Sequence, residues 1–359
     1  MLLRKGSNVG EKIDVAVLGA TGSVGQRFVQ LLENHPWFRV AEVVASERSA
    51  GKSYAEACDW RISATPPEAT ARLKVQHHEE PVKSPLVFSS LPGGLAREVE
   101  TLLASEGKRV FSNARDNRME PDVPLMIPEV NADHADAVRV QQQNRGWNGG
   151  FVVANPNCST IHMVLALKPI WDAVGIEQVL VTTMQAASGA GYPGVSSMDL
   201  IDNVVPYIGG EEEKMEMETR KLLGSWNGSA FGNADLAISA QCNRVPVRDG
   251  HTETVNLKLG RPAEPEEIVE ILSSYRAEPQ QLDLPSAPKH PIIVRSQADR
   301  PQPNLDRNVE HGMASVVGRV RRCPILDIKF VVLGHNTVRG AAGASILNAE
   351  LFHAKGMLV

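Results

Sequence analysis

Cys158 follows a short apolar run, Phe151-Val-Val-Ala154, and an Asn155-Pro156-Asn157 break. It precedes the apolar-periodic positions Ile161, Val164, Leu165 and Leu167, which predict a helix. The thiol therefore sits at a helix mouth. Unpaired amides and the positive dipole end favour an anion there, so the thiol is expected to ionise more readily than a free cysteine and to act as a nucleophile. An unpaired cysteine is also often just a small buried apolar group, and the rest of the chain must decide between the two roles.

Two histidines compete as its proton-handling partner. His162 lies one helical turn after Cys158 and shares its face, yet a mid-helix histidine among apolar neighbours is more often a packed core residue. His251 belongs to the segment from Arg244 to Leu259, which predicts two strands joined at Asp249-Gly250. A two-residue loop would pair Arg248 with His251, Pro246 with Glu253 and Arg244 with Val255, and alternation would put Arg244 and His251 on one face. The guanidinium would grip a carboxylate beside an imidazole that can move a proton at neutral pH. Pro246 has no amide to donate, which implies an edge strand or a bulge.

The elements that must position these groups begin with a nucleotide cradle. Ile13 to Leu18 is a compact apolar strand, followed by Gly19-Ala-Thr-Gly22-Ser-Val-Gly25 and a helix face at Val24, Phe28, Leu31 and Leu32. Strand, glycine turn and helix N-terminus together suit a pyrophosphate. A second strand, Val40 to Ala45, leads to Ser46-Glu47-Arg48-Ser49. An arginine between hydroxyls suits the 2′-phosphate of NADP, whereas Glu47 stands where a carboxylate would hold the free hydroxyl of NAD; the arginine and serines weigh more heavily. Strands at Leu86 and Arg109 continue the alternation of a parallel, doubly wound α/β sheet. Arg118, in a polar loop at a strand's carboxyl end, is by itself a solvent-facing arginine. Arg139 to Gly150, rich in Gln, Asn and Gly, reads as a linker or exposed turn before the sheet's last strand.

Farther on, a strand from Val179 to Met184 ends in the glycine-rich Gln185 to Gly194, which brings backbone close to a ligand or simply turns at the surface. Glu211 to Lys221 is helical and heavily charged; Glu211 and Lys214 share a face, which taken alone is a solvated one. Residues 276 to 311 have no steady period and predict a long excursion or subunit arm. Strands at Met313 to Val320 and Ile325 to Leu333 precede a last helix opened by Gly334 to Ile346, which would return over the first domain with Asn336 near the cofactor.

The chain has 359 residues and a formal net charge of -5. That length predicts two domains, and that charge argues against nucleic acid or an anionic membrane as main partner. The four cysteines, Cys58, Cys158, Cys242 and Cys323, have neither metal-ligand spacing nor a disulfide framework, so no metal and a reducing, cytoplasmic setting are expected. The N-terminal Met1 to Asn8 is too polar for a signal peptide.

Together these motifs resemble aspartate-semialdehyde dehydrogenase, in its archaeal and fungal branch, over essentially the whole chain: Gly19 to Gly25, the Asn155-Pro-Asn-Cys-Ser-Thr box, Gln185 to Gly191, Arg244 through His251 and Asn336 to Ala344. The resemblance implies a Rossmann-type NADP-binding domain (1–156 and 336–359) and a glyceraldehyde-phosphate-dehydrogenase-like α+β catalytic and dimerisation domain (157–335). It assigns Cys158 as nucleophile, His251 as acid-base group, Gln185 as substrate orienter and Arg244 as the carboxylate clamp. It puts Arg118 and Lys214 on phosphate, Glu211 near the substrate amine and Asn157 in the substrate site. Gly19, Thr21, Gly22, Ser23, Val24, Ser46, Arg48, Ser49, Ser188, Gly189 and Asn336 would meet NADP, with Glu47 leaving room for NAD as well.

The implied reaction reduces aspartyl phosphate to aspartate semialdehyde with release of phosphate, in lysine, threonine, methionine and isoleucine biosynthesis, by a homodimer or homotetramer. Malonyl-CoA reductase and N-acetyl-γ-glutamyl-phosphate reductase share the framework. A silent NADP-binding regulator would require Cys158 to be inert.

Overall fold

The computed structural model describes residues 11–62 and 65–358, so the expectation for Met1 to Asn8 lies outside the described residues. Strands β1 (Ile13–Leu18), β2 (Phe38–Ala45), β3 (Val75–His77), β4 (Leu86–Ser89), β5 (Arg109–Ser112) and β6 (Phe151–Ala154) form one sheet. Its order is β3-β2-β1-β4-β5-β6 and every pairing is parallel. The order reverses between β1 and β4, and the crevice beyond the strand ends at such a reversal is where open α/β sheets bind ligands. Strands β4 to β6 are buried at almost every position, since helices α1 (Ser23–Leu32) and α2 (Ala96–Ser105) and the C-terminal helix cover the sheet. Continuous apolar runs satisfy such strands better than alternation does.

The stretch expected as a linker or exposed turn is mostly helix α3 (Ala137–Arg145), ended by Gly146 in the left-handed region at φ 65, with the turn confined to residues 146–150 before β6. Its polar composition has a structural use. On the edge strand β6, the Gln141 side chain accepts from the amide of Val152 (2.7 Å) and donates to its carbonyl (3.0 Å), replacing a missing neighbour strand.

The second sheet contains β7 (Ile176–Gln185), β10 (Ala237–Arg244), β11 (His251–Leu259), β12 (Ile292–Arg295), β13 (Ser315–Arg322) and β14 (Ile328–Gly334); β8 (Ser225–Trp226) and β9 (Phe231–Gly232) pair separately. Its order is β10-β7-β11-β14-β13-β12, mixed in direction. The long helices α4 (Cys158–Val174), α5 (Glu211–Leu222) and α6 (Pro265–Ser274) precede or follow its strands in the chain. Positions along β10 and β11 alternate between buried and more exposed, so one sheet face carries the core and the other is open, with Leu180 46% exposed there.

This topology corrects the expected Arg244 to Leu259 hairpin. β10 and β11 do not pair with each other; β7 lies between them, parallel to β10 and antiparallel to β11. Arg244 stands opposite Gln185, while Val255 pairs with Val181 and Phe330. β10 stops at Arg244, two residues before Pro246, and the chain beyond it is stitched to the loop after β7. Val245 N donates to Gln185 O (3.0 Å), Ala187 N to Val247 O (2.7 Å) and Ser188 N to Arg248 O (3.1 Å). The excursion at 276–311 is also corrected in part, because its β12 adds the edge strand of the second sheet.

After β14 a π-helical turn (Val338–Ala342) leads into α7 (Gly343–Ala354). The Phe352 ring lies 5.3 Å from Phe111 and 5.2 Å from Phe151, inside the first sheet's core. Arg339, fully buried, meets both oxygens of Glu129 at 2.9 and 2.5 Å. The last segment thus packs against the parallel sheet rather than the mixed one.

Candidate active site

Cys158 is the first residue of α4, and its neighbour Asn157 caps the helix: the Asn157 Oδ1 accepts from the amides of Ser159 (2.9 Å) and Thr160 (3.2 Å). The thiol is half-buried. Gly340 of the π turn closes against it, and a Cβ there would lie 2.9 Å from that of Cys158, so only glycine fits without displacing the nucleophile.

Cys158 Sγ lies 3.1 Å from His251 Nε2. The first residue of β11 thus reaches the first residue of α4 from another part of the fold. Ala186 orients the ring and its neighbour together: its N–H donates to His251 Nδ1 (3.0 Å), and its carbonyl accepts from Arg244 Nη1 (2.7 Å). With Nδ1 accepting, the proton of a neutral imidazole sits on Nε2, facing the sulfur. Arg244 is 5% exposed and forms no ion pair among the described residues. A buried guanidinium paired only with a carbonyl is suited to an incoming carboxylate. Arg244 and His251 therefore do converge, through β7 and not through a shared hairpin. His162 does not join them: its Nδ1 meets Ser315 Oγ at 2.8 Å and its ring packs on Gly334 in the core.

The expected ready ionisation of the thiol is overturned. Burial pushes Cys158 up to about 12, with Glu211's charge adding to the effect, while Arg118, Arg244 and the Ser159 amide pull it partly back. Burial, with Arg244 and His335, pushes His251 down to about 3. The pair at neutral pH is a thiol beside a neutral imidazole. The Ser159 amide at the helix terminus lowers it as expected, but desolvation is the larger effect.

The charged helix is likewise not a solvated face. Glu211, Glu218 and Lys221 of α5 are buried, and Lys214 is half-buried. Glu211 accepts from Asn157 Nδ2 (2.6 Å) and from Lys214 (3.0 Å). Burial alone would raise Glu211, but Lys214, Asn157 and Gln185 hold its carboxyl below the usual range. Gln185, buried at the end of β7, also donates to Thr183 Oγ1 (3.4 Å). Arg118, expected to face solvent, is 8% exposed and paired with Glu218 at 2.9 Å. A recess of about 320 Å³ is lined by Arg118 and Lys214, by Arg97 and Arg115, which pair with Glu120 and Asp116, and by Glu218.

Between the two sheets opens a cleft of about 1100 Å³. Thr21, Gly22, Ser23, Arg48 and Ser188 line it; Gly19, Val24, Ser46, Ser49, Gly189 and Asn336 do not. Gly19, at φ 72, turns the chain beneath Ser90, and Ser49 is buried with its amide on Ser46 O. Gly189 backs onto Arg244 and His251. Asn336 Oδ1 accepts from Gly250 N (2.9 Å) and its Nδ2 donates to Ser188 Oγ (2.8 Å), bracing the cleft wall. Glu47 is exposed and lies off the lining, so Arg48 faces the cleft without it.

The cleft fits an anionic dinucleotide. The N-terminus of α1 has no side-chain cap, and Arg27, one turn in, lines the cleft with bonds to Gln30 Oε1 (2.8 Å) and Thr337 Oγ1 (3.2 Å) but no ion pair among the described residues. Arg27 was missed in the sequence although it falls four residues after Ser23, on the same helix face. Across the cleft mouth, the Arg61 guanidinium stacks 3.9 Å from the centre of the Tyr192 ring.

A parallel nucleotide-type sheet joined to a mixed sheet, with a cysteine at the start of the helix after the first sheet set against a histidine at the start of a strand of the second, defines the semialdehyde dehydrogenase class. Two family models match accordingly: "Semialdehyde dehydrogenase, NAD binding domain" over residues 14–138 and "Semialdehyde dehydrogenase, dimerisation domain" over residues 167–339. The aspartate-semialdehyde dehydrogenase of Archaeoglobus fulgidus is 51% identical, covering 95% of this chain and 98% of its own. That of Schizosaccharomyces pombe is 49% identical, covering 96% and 99%. The crystal structure of aspartate semialdehyde dehydrogenase with NADP from Candida albicans superposes with a TM-score of 0.89 at 44% identity, covering 96% of this chain and 99% of that one. The chain belongs to the aspartate-semialdehyde dehydrogenase family.

Proposed function

We propose that this protein is an NADP-dependent, phosphorylating aspartate-semialdehyde dehydrogenase, reducing aspartyl phosphate to aspartate semialdehyde through a thioester on Cys158. The observation that carries this reading is the 3.1 Å approach of His251 to Cys158 beside a buried arginine that has no acid partner among the described residues. Arg244 receives the substrate's carboxylate and Glu211 its ammonium, with Asn157 and Gln185 beside them. Arg118 and Lys214 receive the phosphate at the other end.

Sγ of Cys158 attacks the acyl carbon; the carbon–sulfur bond forms as the carbon–oxygen bond to phosphate breaks, and the thiol proton leaves on the phosphate. His251 acts as a neutral donor: its Nε2 proton stabilises the sulfur as charge gathers there and the oxyanion formed at the acyl carbon. Residues Thr21, Gly22, Ser23 and Arg27 would hold the pyrophosphate, and Arg48 the 2′-phosphate. Bound there, NADPH would supply the hydride that takes the thioester carbon to the aldehyde; the carbon–sulfur bond breaks in that step, and the sulfur regains its proton from solvent beside His251.

We further infer a homodimer or homotetramer in the cytoplasm, with residues 1–156 and 336–359 as the NADP-binding domain and 157–335 as the catalytic and oligomerisation domain. Support comes from the match of residues 167–339 to a dimerisation-domain model, the open face of the second sheet and four free cysteines. No helix among the described residues is long and apolar enough to cross a membrane.

The test is phosphate-dependent reduction of NADP with aspartate semialdehyde, run beside malonate semialdehyde plus CoA. Turnover only with the first pair is expected; turnover only with the second would make the chain a CoA-dependent reductase, and silence with both a binding protein. His251→Ala should cost about 100-fold in kcat, the effect of losing one aimed donor, and His162→Gln should leave kcat within a few-fold of the parent. The reverse pattern would move the proton chemistry to His162.

A further inference from the structure

Glu218 takes part in none of the chemistry above, yet it touches both halves of it. Only 1% exposed, it accepts from Arg118 Nη1 on one oxygen (2.9 Å) and from the backbone amide of Asn157 on the other (2.6 Å). Arg118 is the residue assigned to phosphate. Asn157 carries the cap that starts the Cys158 helix. We propose that Glu218 is a positioning residue that locks the phosphate-binding arginine to the nucleophile turn, so that a phosphate seated on Arg118 is in register with the sulfur; this rests on the functional reading above.

Three observations support that role. Arg118 is held at two of its nitrogens, Nη1 by Glu218 and Nη2 by the carbonyl of Asn113 (2.8 Å), while its Nε is buried without a partner. A guanidinium fixed at two of its three nitrogens, with three of its five N–H groups still unspent, is preorganised for an anion. The loop behind it is anchored from the same helix, since Lys221 Nζ donates to the carbonyls of Arg118, Glu120 and Val123 at 2.8–2.9 Å. Asn157 is held from the same helix a second time, by Glu211 on its side chain (2.6 Å). One helix therefore fixes the distance between the two groups that the acyl phosphate must span.

The carboxylate is specific to this task, because both of its partners are donors. Glutamine in the same space has one acceptor and one NH2 group, which would face either the Arg118 N–H or the Asn157 N–H as donor against donor. Glu218→Gln thus breaks one contact with little change of volume, and Glu218→Asp keeps the charge on a shorter arm.

The experiment measures steady-state kinetics with phosphate varied, NADPH affinity, and the rate of Cys158 alkylation by iodoacetamide without substrate. For Glu218→Gln the KM for phosphate should rise about tenfold and kcat fall about tenfold, with NADPH affinity close to the parent's and the melting temperature lowered by the Arg118 charge left without its partner. Alkylation should change at least about threefold, and Glu218→Asp should recover part of each loss. In Arg118→Ala, adding Glu218→Gln should raise the phosphate KM no further. Phosphate KM and alkylation both within about twofold of the parent would overturn the proposal. So would a raised phosphate KM with unchanged alkylation, which would leave Glu218 a partner of Arg118 alone. A parent enzyme inactive on aspartate semialdehyde would sink the functional reading instead, and the alkylation comparison would still decide whether Glu218 governs the nucleophile turn.

Discussion

At the scale of single residues, the main outcome is how burial and the helix terminus compete at one sulfur atom. The Asn-Pro-Asn-Cys spacing made the position of Cys158 at the start of α4 legible, because a capping asparagine before an apolar period is a local signal. Its protonation state was not legible, since burial by Gly340 and by His251 comes from chain more than 90 residues away in sequence. The buried Glu211 charge also opposes ionisation. With the thiol pushed up to about 12 and His251 down to about 3, nothing in the pair titrates near neutrality. Alkylation of Cys158 by iodoacetamide should therefore climb steadily from pH 6 to pH 9, about tenfold per unit, with no plateau in that range. A plateau near pH 7 would show a standing thiolate and return the helix terminus to control.

At the scale of elements, the strand–glycine–helix cradle was legible because it is contiguous, whereas the Arg244 to Leu259 pairing was not. Asp249-Gly250 is a sound local hairpin signal, but a strand from 60 residues earlier, β7, enters between the two candidates. Pro246 was the available warning, as it ends the donor pattern just past Arg244. The convergence of Arg244 and His251 then depends on the loop after β7, where Ala186 bonds both and Gly189 leaves room for both. A Cβ on Gly189 would lie 2.8 Å from Arg244 Nη1 and 3.0 Å from His251 Cε1. Gly189→Ala should thus raise the KM for aspartate semialdehyde about tenfold and lower kcat, while NADPH binding changes little. An unchanged KM would mean that the loop yields freely and does not set the clamp. The stripe Glu211, Lys214, Glu218 on α5 follows i, i+3, i+7 spacing, so its shared face was visible in the sequence; that the face is buried was not.

At the scale of the whole molecule, burying titratable groups for catalysis and domain packing ties stability to pH. Five histidines are lowered by burial: His134 and His335 are each pushed down to about 4, His251 to about 3, His162 well below its ordinary value, and the more exposed His353 in the same direction. The charges facing them act on balance in the same direction or too weakly to reverse it: Asp133, Lys221 and Lys168 at His134; Arg27, Asp249 and Arg307 at His335; Arg244 and His335 at His251; and His251, Arg339 and His335 at His162. Because these folded-state values lie below that of an unfolded histidine, the unfolded chain binds more protons across the interval between them. The stability these groups contribute is complete above about pH 6.5 and is lost as the pH falls toward 4. Glu100 and Glu253 act oppositely, since burial raises both carboxyls and the folded chain keeps their protons above the ordinary carboxylate range. The lowered histidines outnumber the two raised carboxyls, so the net proton uptake on unfolding, and with it the loss of stability, grows as the pH falls from 6 to 5. Urea midpoints measured at pH 7, 6 and 5, at fixed protein concentration and ionic strength, should fall steeply over the last step. His162→Gln should flatten that slope by about one proton, because Gln cannot titrate. A midpoint that holds level or rises on acidification would mean that the buried carboxyls outweigh the imidazoles.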